Sequence, residues 1–235
     1  MKILGMDSSG MTASVAIIED DHLVAEYSVN YKKTHSQTLV PMLDEISKMT
    51  ELDLSTVDAI AIAKGPGSFT GLRIGSATAK GLGLALNIPI VEVPTTDGLA
   101  FNFFGSDKLI CPIMDARRDQ VYTGLYEFKN DTMQVLLKAT AEAIDDTINR
   151  VNEMGRPVIF LGDGVSVYRE KILAAIKVPV SFAPAHRCMQ SAASVATLGM
   201  EYFKEGKVVK ASEHVPDYLR LSQAERERNE ASSAD

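Results

Sequence analysis

The residues able to do chemistry gather at two strand-to-turn junctions and one glycine-rich string. Asp7-Ser8-Ser9-Gly10 follows the apolar run Ile3 to Met6, and Asp115 follows the run Leu109 to Met114. A carboxylate at the end of a buried strand can hold a metal–phosphate group in a cleft. It can equally cap its own turn. The string Gly65-Pro66-Gly67-Ser68-Phe69-Thr70-Gly71-Leu72-Arg73-Ile74-Gly75 joins another apolar run to a helical pattern. Glycines ahead of a helix start can aim backbone N–H groups at an anion, and the helix dipole adds to the attraction. On that reading Asp7, Ser8, Ser9, Gly65, Gly67, Ser68 and Thr70 form a vestigial phosphate site. The string is not a Walker loop, because no Lys-Ser/Thr pair stands at the required spacing. It is not G-x-G-x-x-G either, because Thr70 holds the sixth place. The competing reading is that Gly65 and Gly67 only turn the chain.

Other catalytic patterns are missing from the sequence. His22, His35, His186 and His214 include no pair three or four residues apart, and Cys111 and Cys188 stand alone, so no metal constellation is visible. There is no G-x-S-x-G elbow. His35 falls in a helix-capping position, which points to a surface or hydrogen-bonding role. Arg117, Arg118 and Tyr122 read as solvated hairpin residues. With net charge −7, the chain lacks the basic field of a protein that grips nucleic acid unaided. Basic residues cluster only weakly, at Lys32–Lys33, Arg117–Arg118 and Arg220 to Arg228. Two distant cysteines, a short N-terminal apolar run and no bilayer-length apolar stretch point to a soluble protein of the reducing cytoplasm.

The elements that must position these residues follow from periodicity. Ile3–Met6, Ala13–Ile18 and Leu23–Val29 read as three antiparallel strands. Thr34-His35-Ser36-Gln37 reads as a capping box opening a helix that carries Leu39, Met42, Leu43, Ile46 and Met49, with Pro41 bending it. Val57–Ala63 is a buried-type strand, the glycine string leads into a helix ending near Leu86, and Ile88–Val93 is a short strand. The second half repeats the plan: Leu109–Met114, a polar turn, Val121–Phe128, then Val158–Leu161 entering Gly162-Asp163-Gly164 and a helix over Val167–Ile176. A last helix spans Ser191–Phe203. Two copies of one topology predict a duplicated α/β fold. Lobes of 1–104 and 105–222 are expected, with 223–235 a disordered tail.

Gly71, Gly75, Ala79 and Gly83 recur every fourth residue and form a bare ridge along the second helix. Each glycine inside a helix costs about 1 kcal/mol relative to alanine. Close contact with another backbone, internal or external, would compensate.

ILGMDSS, THSQTLVPML, GPGSFTGLRIG, VPTTDGLA, MDARRDQVY and PDYLR together resemble the TsaB (YeaZ) family over almost the whole chain, Asp-Ser-Ser standing where Asp-Thr-Ser is commoner. The resemblance implies an actin-like, two-lobed fold of the sugar kinase and Hsp70 type, each lobe a mixed sheet with helices. It implies a non-catalytic subunit that pairs with TsaD, the subunit that transfers a threonylcarbamoyl group to the tRNA adenosine beside the anticodon. The small ATPase TsaE completes the complex, and tRNA is met indirectly through it. TsaD-like chains carry an H-x-x-x-H metal site, whose positions here are Thr95 and Leu99, so that site is missing and no metal is expected. The chain would need no cofactor of its own, ATP or ADP entering with the complex. Leu39, Met42, Leu43 and Ile46 with Gly71, Gly75, Ala79 and Gly83 are the expected partner face, which in the absence of TsaD would make a homodimer. The rival readings are a phosphotransferase or ATPase using Asp7 and the glycine turn, a metalloprotease, and a nucleotide sensor.

Overall fold

The computed structural model describes residues 1–31 and 34–220; Lys32, Lys33 and the expected tail 223–235 lie outside the described residues. The chain opens as an antiparallel meander of β1 (Lys2–Asp7), β2 (Ala13–Glu19) and β3 (His22–Val29). Then β4 (Ala59–Gly65) and β5 (Ile90–Pro94) join in parallel, giving the order β3-β2-β1-β4-β5. The second half repeats this with β6 (Leu109–Asp115), β7 (Gln120–Lys129), β8 (Thr132–Ala143), β9 (Val158–Leu161) and β10 (Val180–Phe182), ordered β10-β9-β6-β7-β8. Read from the meander edge, the two sheets have one topology, as the duplicated pattern predicts.

Helices α1 (His35–Met49) and α2 (Phe69–Leu86) lie beside each other and against the first sheet. Their apolar faces meet Leu4, Met6, Val15, Ile60 and Ile62 in one core. In the second lobe α4 (Ile144–Met154) and α5 (Gly164–Ala175) cover the matching face, over Leu109, Ile113, Val158 and Phe160. The buried α3 (Thr95–Phe101) joins the lobes, and the short α6 (Ala185–Cys188) leads to α7 (Ala192–Lys204).

Three expectations need correction. The capping box does not form: Thr34 is the N-cap residue, but its hydroxyl lies 3.1 Å from Ser36 Oγ and caps nothing, while the Gln37 N–H donates to the Thr34 carbonyl at 2.9 Å. The segment expected as the second lobe, 105–222, does not all pack on the second sheet. Val195, Ala196, Leu198 and Met200 of α7 pack on Ile3, Ala59, Ala61, Val91 and Val93, so the helix covers the remaining face of the first sheet. Beyond it the chain stays there: Val209 and Ile90 exchange two backbone hydrogen bonds of 2.9 Å. His214, buried, lies 2.8 Å from Glu92 and holds that carboxyl below its usual range. Finally, Leu39, Met42, Leu43 and Ile46 belong to the core of the chain itself rather than to an outward partner face.

Candidate functional site

A cleft of about 920 Å³ opens between the lobes, lined by the β1–β2 loop, the glycine turn, the start of α1, the β6–β7 turn and the C-terminal segment. On the first-lobe side, the two loops expected to cradle phosphate close on each other instead. The Ser68 N–H donates to the Ser9 carbonyl at 2.6 Å, and the Ser8 hydroxyl donates to the Gly71 carbonyl at 2.8 Å. Ser68 caps α2 by accepting from the Gly71 N–H at 3.3 Å. A side chain at Gly67 or Gly71 would run into the carbonyls of Ser9 or Ser8, so glycine is what allows this approach. The Ser68 and Gly71 N–H groups thus have partners within the chain and are not free donors for an anion.

Asp7 sits at the bottom of this arrangement. Its Oδ1 accepts from the Ser9 N–H at 2.8 Å and the Ser9 hydroxyl at 2.6 Å. Burial pushes its carboxyl up to about 6, against the opposing pull of the two Ser9 donors. Asp115 repeats the turn: its Oδ1 accepts from the Arg117 N–H at 2.8 Å and from the Tyr168 hydroxyl at 3.0 Å. Both aspartates cap the residue two positions on, which is the plainer of the two roles open to them. Beside Asp115, Asp163 Oδ1 accepts from the Asp115 N–H at 3.1 Å, and burial raises its carboxyl. Arg117, Arg118 and Asp119 follow in left-handed conformation, with φ of 63°, 57° and 55°.

Sequence reasoning gave His35 a surface or hydrogen-bonding role without its partner, and missed the role of the C-terminal segment. His35 Nε2 lies 2.8 Å from the Gly10 carbonyl, which can only accept, so Nε2 carries the proton and ties α1 to the β1–β2 loop. The string PDYLR crosses the cleft mouth. The Asp217 N–H donates to the Lys64 carbonyl at 2.7 Å, and Gly65, at φ 124°, leaves room for the Asp217 carbonyl. The Tyr218 ring lies 4.7 Å from Phe69, over which Arg73 stacks at 4.0 Å, and Arg220 donates to the Ala116 carbonyl of the other lobe at 2.6 Å. A strap of three contacts thus runs from the glycine turn to the second lobe.

Thr95 and Leu99, where the resemblance puts the metal ligands of TsaD-like chains, are buried in α3, Leu99 in an apolar cluster with Ile110 and Tyr126. Among the described residues no group of three His, Cys, Asp or Glu side chains could hold a metal ion. The glycine ridge also faces inward: Gly71, Gly75, Ala79 and Gly83 are buried, Gly75 against Ser8 and Ile62, and Gly83 against Ala211 and the Ile88 carbonyl. The compensating contact is internal, and the ridge is not a partner surface. The outer face of α2 carries a different stripe of small residues, Ala77, Gly81 and Ala85, all exposed, beside the exposed Leu84. A side chain at Gly81 would meet nothing within 4 Å. On the neighbouring α1, Val40 and Met49 are exposed. No described helix is long and apolar enough to cross a membrane.

The family described as "TsaD: tRNA N6-adenosine threonylcarbamoyltransferase" matches residues 22–228. The tRNA threonylcarbamoyladenosine biosynthesis protein TsaB of Bacillus subtilis (strain 168) is 36% identical over 225 residues, 96% of each chain. Its namesake in Escherichia coli (strain K12) is 26% identical, over 94% of this chain and 95% of that one. The solved structure of YeaZ from Pseudomonas aeruginosa superposes with a TM-score of 0.77 at 26% identity, covering 93% of this chain and 99% of that chain. A polyphosphate/ATP-glucomannokinase from Arthrobacter, 9% identical with a TM-score of 0.51, covers 87% of this chain and 99% of that one and shares the fold alone. The fold is the two-lobed actin-like one of the sugar kinases, each lobe one copy of the same sheet topology.

Proposed function

The chain belongs to the TsaB (YeaZ) branch of the TsaD family, and on that premise we propose that it is the non-catalytic partner of TsaD in the threonylcarbamoylation of tRNA adenosine. The observation that carries this reading is the closed first-lobe site. The Ser9 carbonyl and Ser68 N–H satisfy each other where a kinase of this fold class would need open donors, and Leu99 stands in an apolar cluster where a TsaD-like chain would need an imidazole.

The partner face is the outer side of α1 and α2. Gly81 lies within α2, costs about 1 kcal/mol there relative to alanine, and has no internal contact to explain it. Ala77, Gly81 and Ala85 allow a partner helix to approach closely, and Leu84, Val40 and Met49 supply apolar area around them. Without TsaD the same face pairs two copies of the chain. TsaE and tRNA join through the assembled complex, in the cytoplasm. Reconstitution tests the reading: tRNA modification by TsaD and TsaE should depend on adding this chain. Undiminished modification without it, or steady ATP turnover by the pure chain alone, would overturn the proposal.

A further inference from the structure

The chain crosses between the lobes twice, and neither crossing lines the cleft. The first leaves through α3, and the second returns through α6 to α7. Asn102 ties the two together. Its amide donates to the carbonyls of Arg187 and Met189 at 3.2 and 3.0 Å, and Arg187 donates back to the Asn102 carbonyl at 3.1 Å. In the same region the Tyr126 hydroxyl of the second sheet lies 2.7 Å from Asp97 of α3. Two crossings bound at one place have the geometry of a hinge.

The C-terminal strap, by contrast, lines the cleft with Tyr218, Leu219 and Arg220. Its root belongs to the first lobe. Lys80 donates to the His214 carbonyl at 3.0 Å, and the Asp217 N–H donates to the Lys64 carbonyl at 2.7 Å. Tyr218 packs on Phe69 of the same lobe. Among the described residues, the only hydrogen bond from the strap to the second lobe is the one of 2.6 Å from Arg220 to the Ala116 carbonyl. That acceptor is held in place: the Ala116 N–H donates to the Gln120 carbonyl at 2.9 Å, and Asp115 caps the Arg117 N–H at 2.8 Å.

We propose that residues 214–220 form a clasp that sets the width of the cleft, hinged at Asn102 and caught at Ala116 by Arg220. Val215 and Tyr218 are 65% and 38% exposed, so polar contacts rather than buried apolar surface fasten much of the strap. A charged donor makes the catch stronger than a neutral hydrogen bond, yet it is a single bond at a partly exposed residue. The clasp therefore opens at its tip, while the root stays on the first lobe. Losing the catch should raise the open population about ten-fold, a shift within reach of one charge-assisted hydrogen bond. Entry into the space between the lobes is thus governed by one side chain that belongs to neither wall.

Electron–electron resonance distances across the cleft test this in the full-length chain. Spin labels go on Ser36→Cys and Ser166→Cys, exposed on opposite walls, with the half-buried Cys188→Ser removing a competing thiol. Labelled chain is diluted into unlabelled chain, so that only distances within one molecule are read. Arg220→Ala should add a longer distance to the distribution, and Arg220→Lys, which keeps a donor, should restore the short one at least in part. Tyr218→Ala, at a half-exposed position, frees the strap at its first-lobe end and should also populate the longer distance. A control pair on α1 alone, Ser36→Cys and Lys48→Cys, should not change in any variant. A cross-cleft distribution unchanged in both Arg220→Ala and Tyr218→Ala overturns the proposal. So does lengthening that is equal in Arg220→Ala and Arg220→Lys, or that also appears in the control pair.

Discussion

The Tyr126 hydroxyl, on the second sheet, lies 2.7 Å from Oδ1 of Asp97, at the start of α3, and 2.8 Å from Thr96 Oγ1. Tyr202 of α7 donates to the other oxygen of Asp97 at 3.2 Å. The motif VPTTDGLA therefore places one buried carboxylate where both lobes and the last helix meet. Burial raises its carboxyl, and the two tyrosine hydroxyls oppose that rise.

Removing that hydroxyl should loosen the joint. Tyr126→Phe leaves the ring in place and Asp97 short of one donor, a loss of about 1–3 kcal/mol for a buried charged acceptor. Urea denaturation should show the midpoint falling with an unchanged slope. An unchanged midpoint would mean that Tyr202 alone satisfies Asp97.

Asp7 should make stability depend on pH in an unusual direction for a carboxylate. Its folded-state value of about 6 stands above the reference of 3.8, so the folded chain binds the proton more tightly than the unfolded one. Its contribution is fully present below the unfolded value and is lost as pH rises through about 6. Asp7→Asn, which keeps an acceptor for Ser9, should therefore stabilise the chain by about 1–3 kcal/mol at pH 8, by linkage. The gain should vanish near pH 4. A gain equal at both pH values would refute the burial argument.

The two glycine stripes of α2 should separate cleanly. Gly75→Leu, pressed against Ser8 and Ile62, should cost about 1–3 kcal/mol or prevent folding. Gly81→Trp meets no neighbour and should leave Tm level or raise it, since a glycine leaves a helix interior. The same variant should lose co-purification with TsaD. Retained co-purification would move the partner face elsewhere.

Tyr218→Ala should release the strap from the glycine turn. The lost ring contact with Phe69 is worth about 0.5–1.5 kcal/mol. Amide hydrogen exchange of Ser68 to Leu72 should accelerate while exchange in β6 and β9 holds. Equal acceleration in both lobes would indicate general destabilisation instead.

Much of the fold is legible in the sequence because each half opens with an apolar strand ending in Met-Asp and later turns a strand into a helix through glycines. What escapes is direction. A repeat of four in Gly71, Gly75, Ala79 and Gly83 locates a stripe on α2 without saying which side faces the sheet, and Ala77, Gly81 and Ala85 repeat at the same interval on the opposite side. Likewise α7 is visible as a helix, but small apolar residues such as Ala192, Val195 and Ala196 carry no mark of the sheet they cover. The strand β8 escapes because Gln134 and Lys138 interrupt its apolar run at an exposed sheet edge. The partner of His35 escapes because the Gly10 carbonyl is a backbone atom distant in sequence.

The return of α7 to the first sheet sets the order in which the molecule can be completed during synthesis. Ile3, Ala59 and Val93 leave the ribosome early, but the helix that shields them from water emerges only after the entire second lobe. The nascent first lobe therefore waits with one face of its sheet bare, a state prone to aggregation. Residues 1–104 expressed alone should be insoluble, and a separately supplied peptide spanning 190–220 should rescue them. The two lobes are thus successive in sequence but interdependent in folding.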